Sequence, residues 1–251
     1  FLKETDNVLG VRAADTDSWQ QRRGKQAGDT RWPIDYDSVI GIWQTVWLEP
    51  TQENYGHSIF SRYEVGSREL RVTLTLAKQC QGSLEVEVSS DGNRVILGQS
   101  AFTNRNESTV ILKIDAPQLW SPKNPVLYDL SIKVLNDNGE LIDEFTSYTG
   151  WREVRCEGGT ICLNGEPQYL QGVLDQGYFP GGWYTALDDT ALRRDVELTK
   201  AMGFNFVRKH QKIEDPRYLY WADRLGLMLW AEMPAGRIFS TPLSQALSEQ
   251  W

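Results

Sequence analysis

In the stretch "GFNFVRKHQ", residues 203–211, a run rich in apolar and aromatic residues leads directly into Arg208, Lys209 and His210. A guanidinium can hold a carboxylate ionised and oriented, an imidazole can contact a ligand or move a proton near neutral pH, and an indole can stack on the C–H face of a sugar ring. The partners for such chemistry stand nearby in the sequence. Asp175 and Gln176 close "YLQGVLDQ", and Trp230 and Glu232 close "LMLWAEMP". Glu232 ends an apolar run, where an unpaired carboxylate is costly. It therefore needs Arg208, a bound cation or a substrate hydroxyl as partner, while Arg208 could equally neutralise Asp195. Trp230, like Trp183, reads as either packing or a sugar platform. Lys209, one position out of phase with Arg208 and His210, is expected to face outward.

The elements that would position these side chains follow a strand–helix–strand–helix–strand order from residue 151 onward. "DDTALRRDVELTKAMG" reads as a helix capped by Asp188 or Asp189, with Gly203 just past its end and a core stripe of Ala191, Leu192, Val196, Leu198 and Met202. "EDPRYLYWADRLG" reads as a second helix with Asp215 as N-cap, Pro216 at its first position and Gly226 as terminator. "YLQGV", "FNFVRKH" and "LMLWAEMP" are then parallel buried strands. No phosphate-binding glycine loop follows any of them, which favours a barrel over a nucleotide-binding sheet. In such folds the carboxyl ends of the strands line the site, so Asp175, Arg208, His210, Trp230 and Glu232 are expected on one rim.

Residues 51–150 alternate with period two between turns such as "SSDGN", "SPKNP" and "NDNGE". About seven short strands in such a length is the pattern of an immunoglobulin-like β-sandwich. Residues 1–50 carry two further candidate strands, "VLGVRAAD" and "IGIWQTVWLEP", around a long polar loop. The formal charge of −8 argues against nucleic-acid or anionic-membrane binding. No apolar run approaches the ~20 residues that span a bilayer. No signal peptide is seen, so cytoplasmic, periplasmic and secreted locations are all compatible. Cys80, Cys156 and Cys162 read as free or buried thiols, with a Cys156–Cys162 pair conceivable in an oxidising compartment.

Several segments resemble glycoside hydrolase family 2, which includes β-galactosidases, β-glucuronidases and β-mannosidases. "IGIWQTVWLEP" resembles the closing strand of the family's jelly-roll sugar-binding domain, and "LWSPKNPVLYDLSIKV" the end of its immunoglobulin-like domain. "GWREV…CLNGEPQYLQGV", "DDTALRRDVELTKAMGFNFVRKH" and "YLYWADRLGLMLWAEMP" resemble the first three strands of its (β/α)8 TIM barrel. The resemblance implies a multidomain β plus α/β fold: residues 1–50 as the C-terminal part of the jelly roll, 51–150 as the immunoglobulin-like domain and 151–251 as the N-terminal part of the barrel. It implies a retaining exo-β-glycosidase, β-galactosidase-like by preference, acting on a β-glycoside with no required cofactor. The family's two catalytic glutamates lie on later barrel strands and are expected beyond Trp251, so this chain alone is expected to be inactive. Arg208 matches an arginine beside the family's nucleophile, and Glu232 an acidic residue that binds sugar or a cation in some members. His210 stands one position short of the family's histidine. Asp35, six residues before Gly41, matches an aspartate that reaches into the sugar pocket, with Asp37 close by. A divalent cation near Glu232 and a homo-oligomeric full-length form are left open, as is a non-catalytic carbohydrate-binding or scaffold protein from the same family.

Overall fold

The computed structural model of the chain describes residues 5–16, 21–28 and 32–236. The chain divides into two compact units, one of Leu48–Gln171 with Tyr220–Met228 and one of Phe1–Trp47, Gly172–Leu219 and Leu229–Trp251.

The first unit is β-rich. Its principal sheet contains β1 (Gly56–Glu64), β2 (Glu69–Ser90), β3 (Asn93–Lys113), β4 (Tyr128–Asn136) and β5 (Leu141–Thr149). Asp91 and Gly92, with φ of 50° and 76°, form the two-residue turn that joins β2 to β3. β3 pairs antiparallel along most of β2. On its other edge β2 pairs first with β1, over Glu69–Leu76, and then with β4, over Gly82–Ser89. The change of partner coincides with register shifts between Thr75 and Gly82. Such irregularities bend a strand and let it serve two faces. Leu70, Val72 and Leu74 before the bend, and Leu84, Val86 and Val88 after it, point into one buried cluster. The sheet thus curls over its own apolar side. β4 carries β5, whose side chains return to β1: Ser61 Oγ lies 3.1 Å from Thr149 Oγ1, and Gly56 N donates to Asp143 Oδ2 at 2.8 Å.

Stacked aromatics fill one end of this core. The Trp151 ring lies 3.7 Å from that of Tyr128 and 5.7 Å from that of Tyr63, both near parallel. Trp120 is also buried, with Nε1 donating to the Asp223 carbonyl at 2.7 Å. A small antiparallel sheet of β6 (Val154–Glu157), β7 (Thr160–Leu163) and β8 (Glu166–Pro167) follows. Its register pairs Cys162 with Arg155, so Cys156 and Cys162 face opposite sides of the hairpin, and both are free thiols.

The remaining elements are β9 (Gly172–Asp175), α1 (Asp189–Ala201), β10 (Phe206–Lys209), α2 (Pro216–Leu225) and β11 (Met228–Ala231). The three strands form one sheet in the order β11-β10-β9, with β9 and β10 parallel. Asp188 caps α1 by accepting from Ala191 N at 2.8 Å, and Gly203, at φ 89°, ends it. Asp215 accepts from Arg217 N at 2.9 Å ahead of Pro216, as its position before the helix predicts.

Several expectations change. The expected seven or so short strands of residues 51–150 are five, and "RELRVTLTL" and "GSLEVEVSS" are two halves of β2. "VLGVRAAD" and "IGIWQTVWLEP" form no strand: among the described residues only the single parallel bridge Gln26–Tyr36 occurs there. The apolar alternation Ile40, Ile42, Val46 and Leu48 is exposed, and it has no neighbouring strand to take its backbone groups. On α1 the buried positions are Leu192, Val196 and Thr199, while Leu198 and Met202 face outward. Thr199 tolerates the interior because its hydroxyl donates to the Asp195 carbonyl at 2.8 Å. Residues 1–4, 17–20, 29–31 and 237–251, including part of the polar loop, lie outside the described residues.

Because Trp151 joins two aromatic stacks at 1% exposure, Trp151→Ala is expected to lower the unfolding free energy by about 3–5 kcal/mol in urea titration. The exposed Phe60→Ala should change it by less than about 0.5 kcal/mol.

Candidate functional site

The parallel register of β9 and β10 sets Lys209 beside Asp175 on one face of the sheet and Arg208 beside Leu174 on the other. The Lys209 face is interior. Lys209 is fully buried rather than outward: its ammonium lies 2.6 Å from Asp175 Oδ2, 2.9 Å from Glu214 Oε2 and 3.9 Å from the centre of the Tyr218 ring. Sequence alternation assigns a lysine to solvent by default, and here the default loses to two carboxylates already placed inside. Lys212, likewise buried, pairs with Glu214 Oε1 at 3.0 Å and donates to the carbonyls of Gly177 at 2.6 Å and Tyr184 at 2.8 Å. Glu214 therefore sits between two ammonium groups. The 2.9 Å contact from Lys209 to Oε2 is an ion pair whose angle is poor for a hydrogen bond.

Burial pushes the Lys212 ammonium pKa down, and the neighbouring Lys209 charge adds to that, against Glu214. Asp195, on α1 beside the cluster, is pushed up by burial and then by Asp175. Gly177 completes the arrangement at φ 67°, where a Cβ would lie 2.5 Å from Lys212 Cδ. Its N–H donates to Asp175 Oδ1 at 2.7 Å.

The opposite face carries Arg208, whose Nε donates to Glu232 Oε1 in a close ion pair. The other oxygen, Oε2, accepts from Gln211 N at 3.1 Å. Gln211 adopts a left-handed φ of 57°, which turns the chain so that its N–H reaches the carboxylate. The turn is backed by Gly24, where a Cβ would come within 2.3 Å of the Gln211 carbonyl oxygen. Trp230, two residues before Glu232 on the same face, is half-exposed with its ring edge toward Phe206. His210 N donates to the Asp175 carbonyl at 2.7 Å, and its ring nitrogens lie 3.3 Å from the side-chain nitrogens of Gln176 and Gln211. Burial lowers its pKa, opposed by the Glu232 carboxylate and aided by the Arg208 and Lys25 charges.

Arg208, Glu232, His210 and Trp230 thus gather at the ends of β10 and β11. Asp175 joins them through its backbone, while its carboxylate belongs to the interior lysine cluster. Asp35 is buried elsewhere, accepting from Trp32 N at 3.1 Å and lying close to Tyr178, whose ring stacks on Tyr36 at 3.8 Å. Arg208 engages Oε1 of Glu232 and Gln211 N engages Oε2, so a divalent cation there would share the carboxylate with a guanidinium. No group of three or more His, Cys, Asp or Glu among the described residues could hold a metal ion. The chain's Asn106-Glu107 pair lies exposed on β3 of the curled sheet. No helix among the described residues is long and apolar enough to cross a membrane. Sequence reading missed Lys212 and Glu214. Their signal was a pair of like charges three residues apart, Lys209 and Lys212, followed closely by a carboxylate.

Three outcomes follow. Lys212→Met leaves Glu214 with one charged partner inside the protein, so it should cost about 3–5 kcal/mol by chemical denaturation, with Glu214→Gln added to it recovering part of the loss. Removing Arg193 from its exposed pair with Glu197 should cost less than about 0.5 kcal/mol. The fold favours neutral His210, placing its folded pKa below the ordinary 6.5. The associated stability is present above that ordinary value and is lost as pH falls through the folded pKa. An NMR titration should find the His210 midpoint below 6.5, and His210→Gln should flatten the fall in stability below that pH.

Residues 57–152 match the model of glycosyl hydrolases family 2. A β-galactosidase from Thermoanaerobacter pseudethanolicus is 28% identical over 212 residues, covering 80% of this chain and 28% of that protein. A β-galactosidase from Yersinia pestis is 33% identical over 162 residues, covering 64% of this chain and 15% of that one. Among solved structures, a β-glucuronidase from Ruminococcus gnavus in complex with D-glucuronic acid aligns with a TM-score of 0.64 at 24% identity, over 76% of this chain and 32% of its own. The chain therefore spans less than a third of the length of each relative. The curled sheet carries the match to glycosyl hydrolases family 2, and similarity to curated β-galactosidases extends to most of the chain.

Proposed function

We propose that the chain is part of a retaining exo-β-glycosidase whose substrate is a terminal β-linked sugar, β-galactoside by preference, and that Arg208 supports the nucleophile. The observation that carries this is the fixed guanidinium at the end of β10. Its Nε is held by Glu232, while its Nη groups make no hydrogen bond among the described residues and the side chain remains 45% exposed. A retaining enzyme needs two carboxyl groups about 5–5.5 Å apart, one ionised as nucleophile and one protonated as acid. A guanidinium beside the first keeps it ionised. Glu232 orients Arg208, and Gln211 N orients Glu232. In this reading both catalytic glutamates lie outside these 251 residues, and His210 and Trp230 contribute to the sugar pocket. Residues 1–50 close a jelly-roll domain, 51–150 form an immunoglobulin-like domain and 151–251 begin a (β/α)8 barrel. The galactoside preference is supported by the names of the curated relatives; the glucuronidase neighbour informs the fold.

The test is hydrolysis of aryl β-galactosides and aryl β-glucuronides by the product of the complete coding sequence. Galactoside turnover is expected, with none from the 251-residue chain. Arg208→Ala should lower kcat on the order of a hundredfold, as loss of a preorganised charge does, with a smaller change in KM. Arg208→Lys should not restore it, since an ammonium lacks the fork that serves two carboxylates. Sugar binding without cleavage by the complete protein would replace this reading with the non-catalytic carbohydrate-binding one.

A further inference from the structure

A cavity of about 340 Å³ lies in the α/β unit beside the strand-end cluster, walled by the segments at 39–43 and 182–185 together with Gln26, Ile213 and Pro234. Its size falls in the ~300–1,000 Å³ range of small-molecule sites. Three aromatic side chains line it. Trp43 and Tyr184 lie 5.0 Å apart, tilted, with the Lys212 ammonium 4.5 Å from the Tyr184 ring centre. Trp183 is more than half exposed and sits at a left-handed φ of 56°, rare for a bulky residue.

That conformation is held from several sides. Phe179 N and Trp183 N exchange hydrogen bonds with the opposite carbonyls at 2.7 and 2.9 Å. Lys212 holds the loop at the Gly177 and Tyr184 carbonyls, and Thr185 Oγ1 donates to the Trp43 carbonyl at 2.9 Å. Strain that the surroundings over-determine, presenting an exposed indole, points to recognition rather than packing. The cavity also offers a directed polar group. Gln26 Oε1 accepts from Val39 N at 3.0 Å, which orients the amide and leaves Nε2 without a hydrogen-bond partner among the described residues.

We propose that this cavity is a sugar-binding subsite separate from the Arg208–Glu232 pocket. It takes a pyranose ring of a β-linked oligosaccharide, with the C–H face stacked on Trp183 and a hydroxyl accepting from Gln26 Nε2. The inference deepens the glycosidase reading by giving the substrate a second recognised ring, but ring binding needs no turnover and can be measured on this chain.

The experiment is titration of the 251-residue chain with lactose and cellobiose, following indole N–H signals by NMR. Saturable shifts of the Trp43 and Trp183 signals are expected. Trp183→Ala should weaken binding about tenfold with the remaining spectrum unchanged, and Trp183→Phe should retain most of it. Gln26→Ala should weaken binding severalfold. No saturable shift, shifts confined to Trp230, or undiminished binding by Trp183→Ala would each overturn the proposal. So would p-nitrophenol displacing the sugars at lower concentration than either sugar binds, since that describes an apolar leaving-group pocket. Failure of the complete protein to hydrolyse glycosides would leave this result standing, and failure here would leave hydrolysis standing.

Discussion

Glu214 between the ammonium groups of Lys209 and Lys212 is the interaction on which the strand-end cluster depends. Taking an ammonium out of water costs several kcal/mol, and only close, well-directed partners offset it. Each lysine has several: Lys209 holds Asp175, Glu214 and the Tyr218 face, and Lys212 holds Glu214 and two carbonyls. Two ammonium groups balance Glu214 and Asp175, and Asp195 next to them is biased toward its neutral form. The residues that end β9 and β10, and the loop from Gly177 to Tyr184, are therefore placed by electrostatics rather than by apolar packing. Replacing one partner leaves another charged and buried, so the group behaves as a unit.

The two sides of β10 divide the work. The inner side fixes backbone position, and the outer side presents Arg208, Glu232 and His210. Arg208 gains its orientation from Glu232, Glu232 from Gln211, and the Gln211 turn from its close fit against Gly24. Residues near 24 and near 211 are thus parts of one local structure despite their distance in the chain. The structural neighbour named β-glucuronidase shares the fold in outline. Fold alone does not choose a sugar, and the side chains around the rim do.

Much of the α/β unit was legible in the sequence because its signals are local. Asp188, Asp215, Pro216, Gly203 and Gly226 each act within a turn of the helix they bound, and all serve as their positions predict. The Arg208–Glu232 pair could be inferred because a carboxylate at the end of an apolar strand demands a partner. What was not legible depends on distant neighbours. Lys209 is interior because Asp175 and Glu214 converge there, and no period-two rule contains that fact. Leu198 and Met202 lost the core face of α1 to Thr199 through a helix rotation of less than half a turn. Residues 40–48 have a strand's alternation, but a strand also requires a neighbour.

The 22-residue β2 has a consequence for motion. One continuous backbone is hydrogen-bonded to β1, β3 and β4, so neither half of the curled sheet can open without loading the other through it. The sheet should behave as one foldon in which the β2 amides on either side of Thr75–Gly82 exchange with solvent together. The register shifts between Thr75 and Gly82 mark where protection first thins, so opening of this unit begins at the middle of its longest strand rather than at its ends.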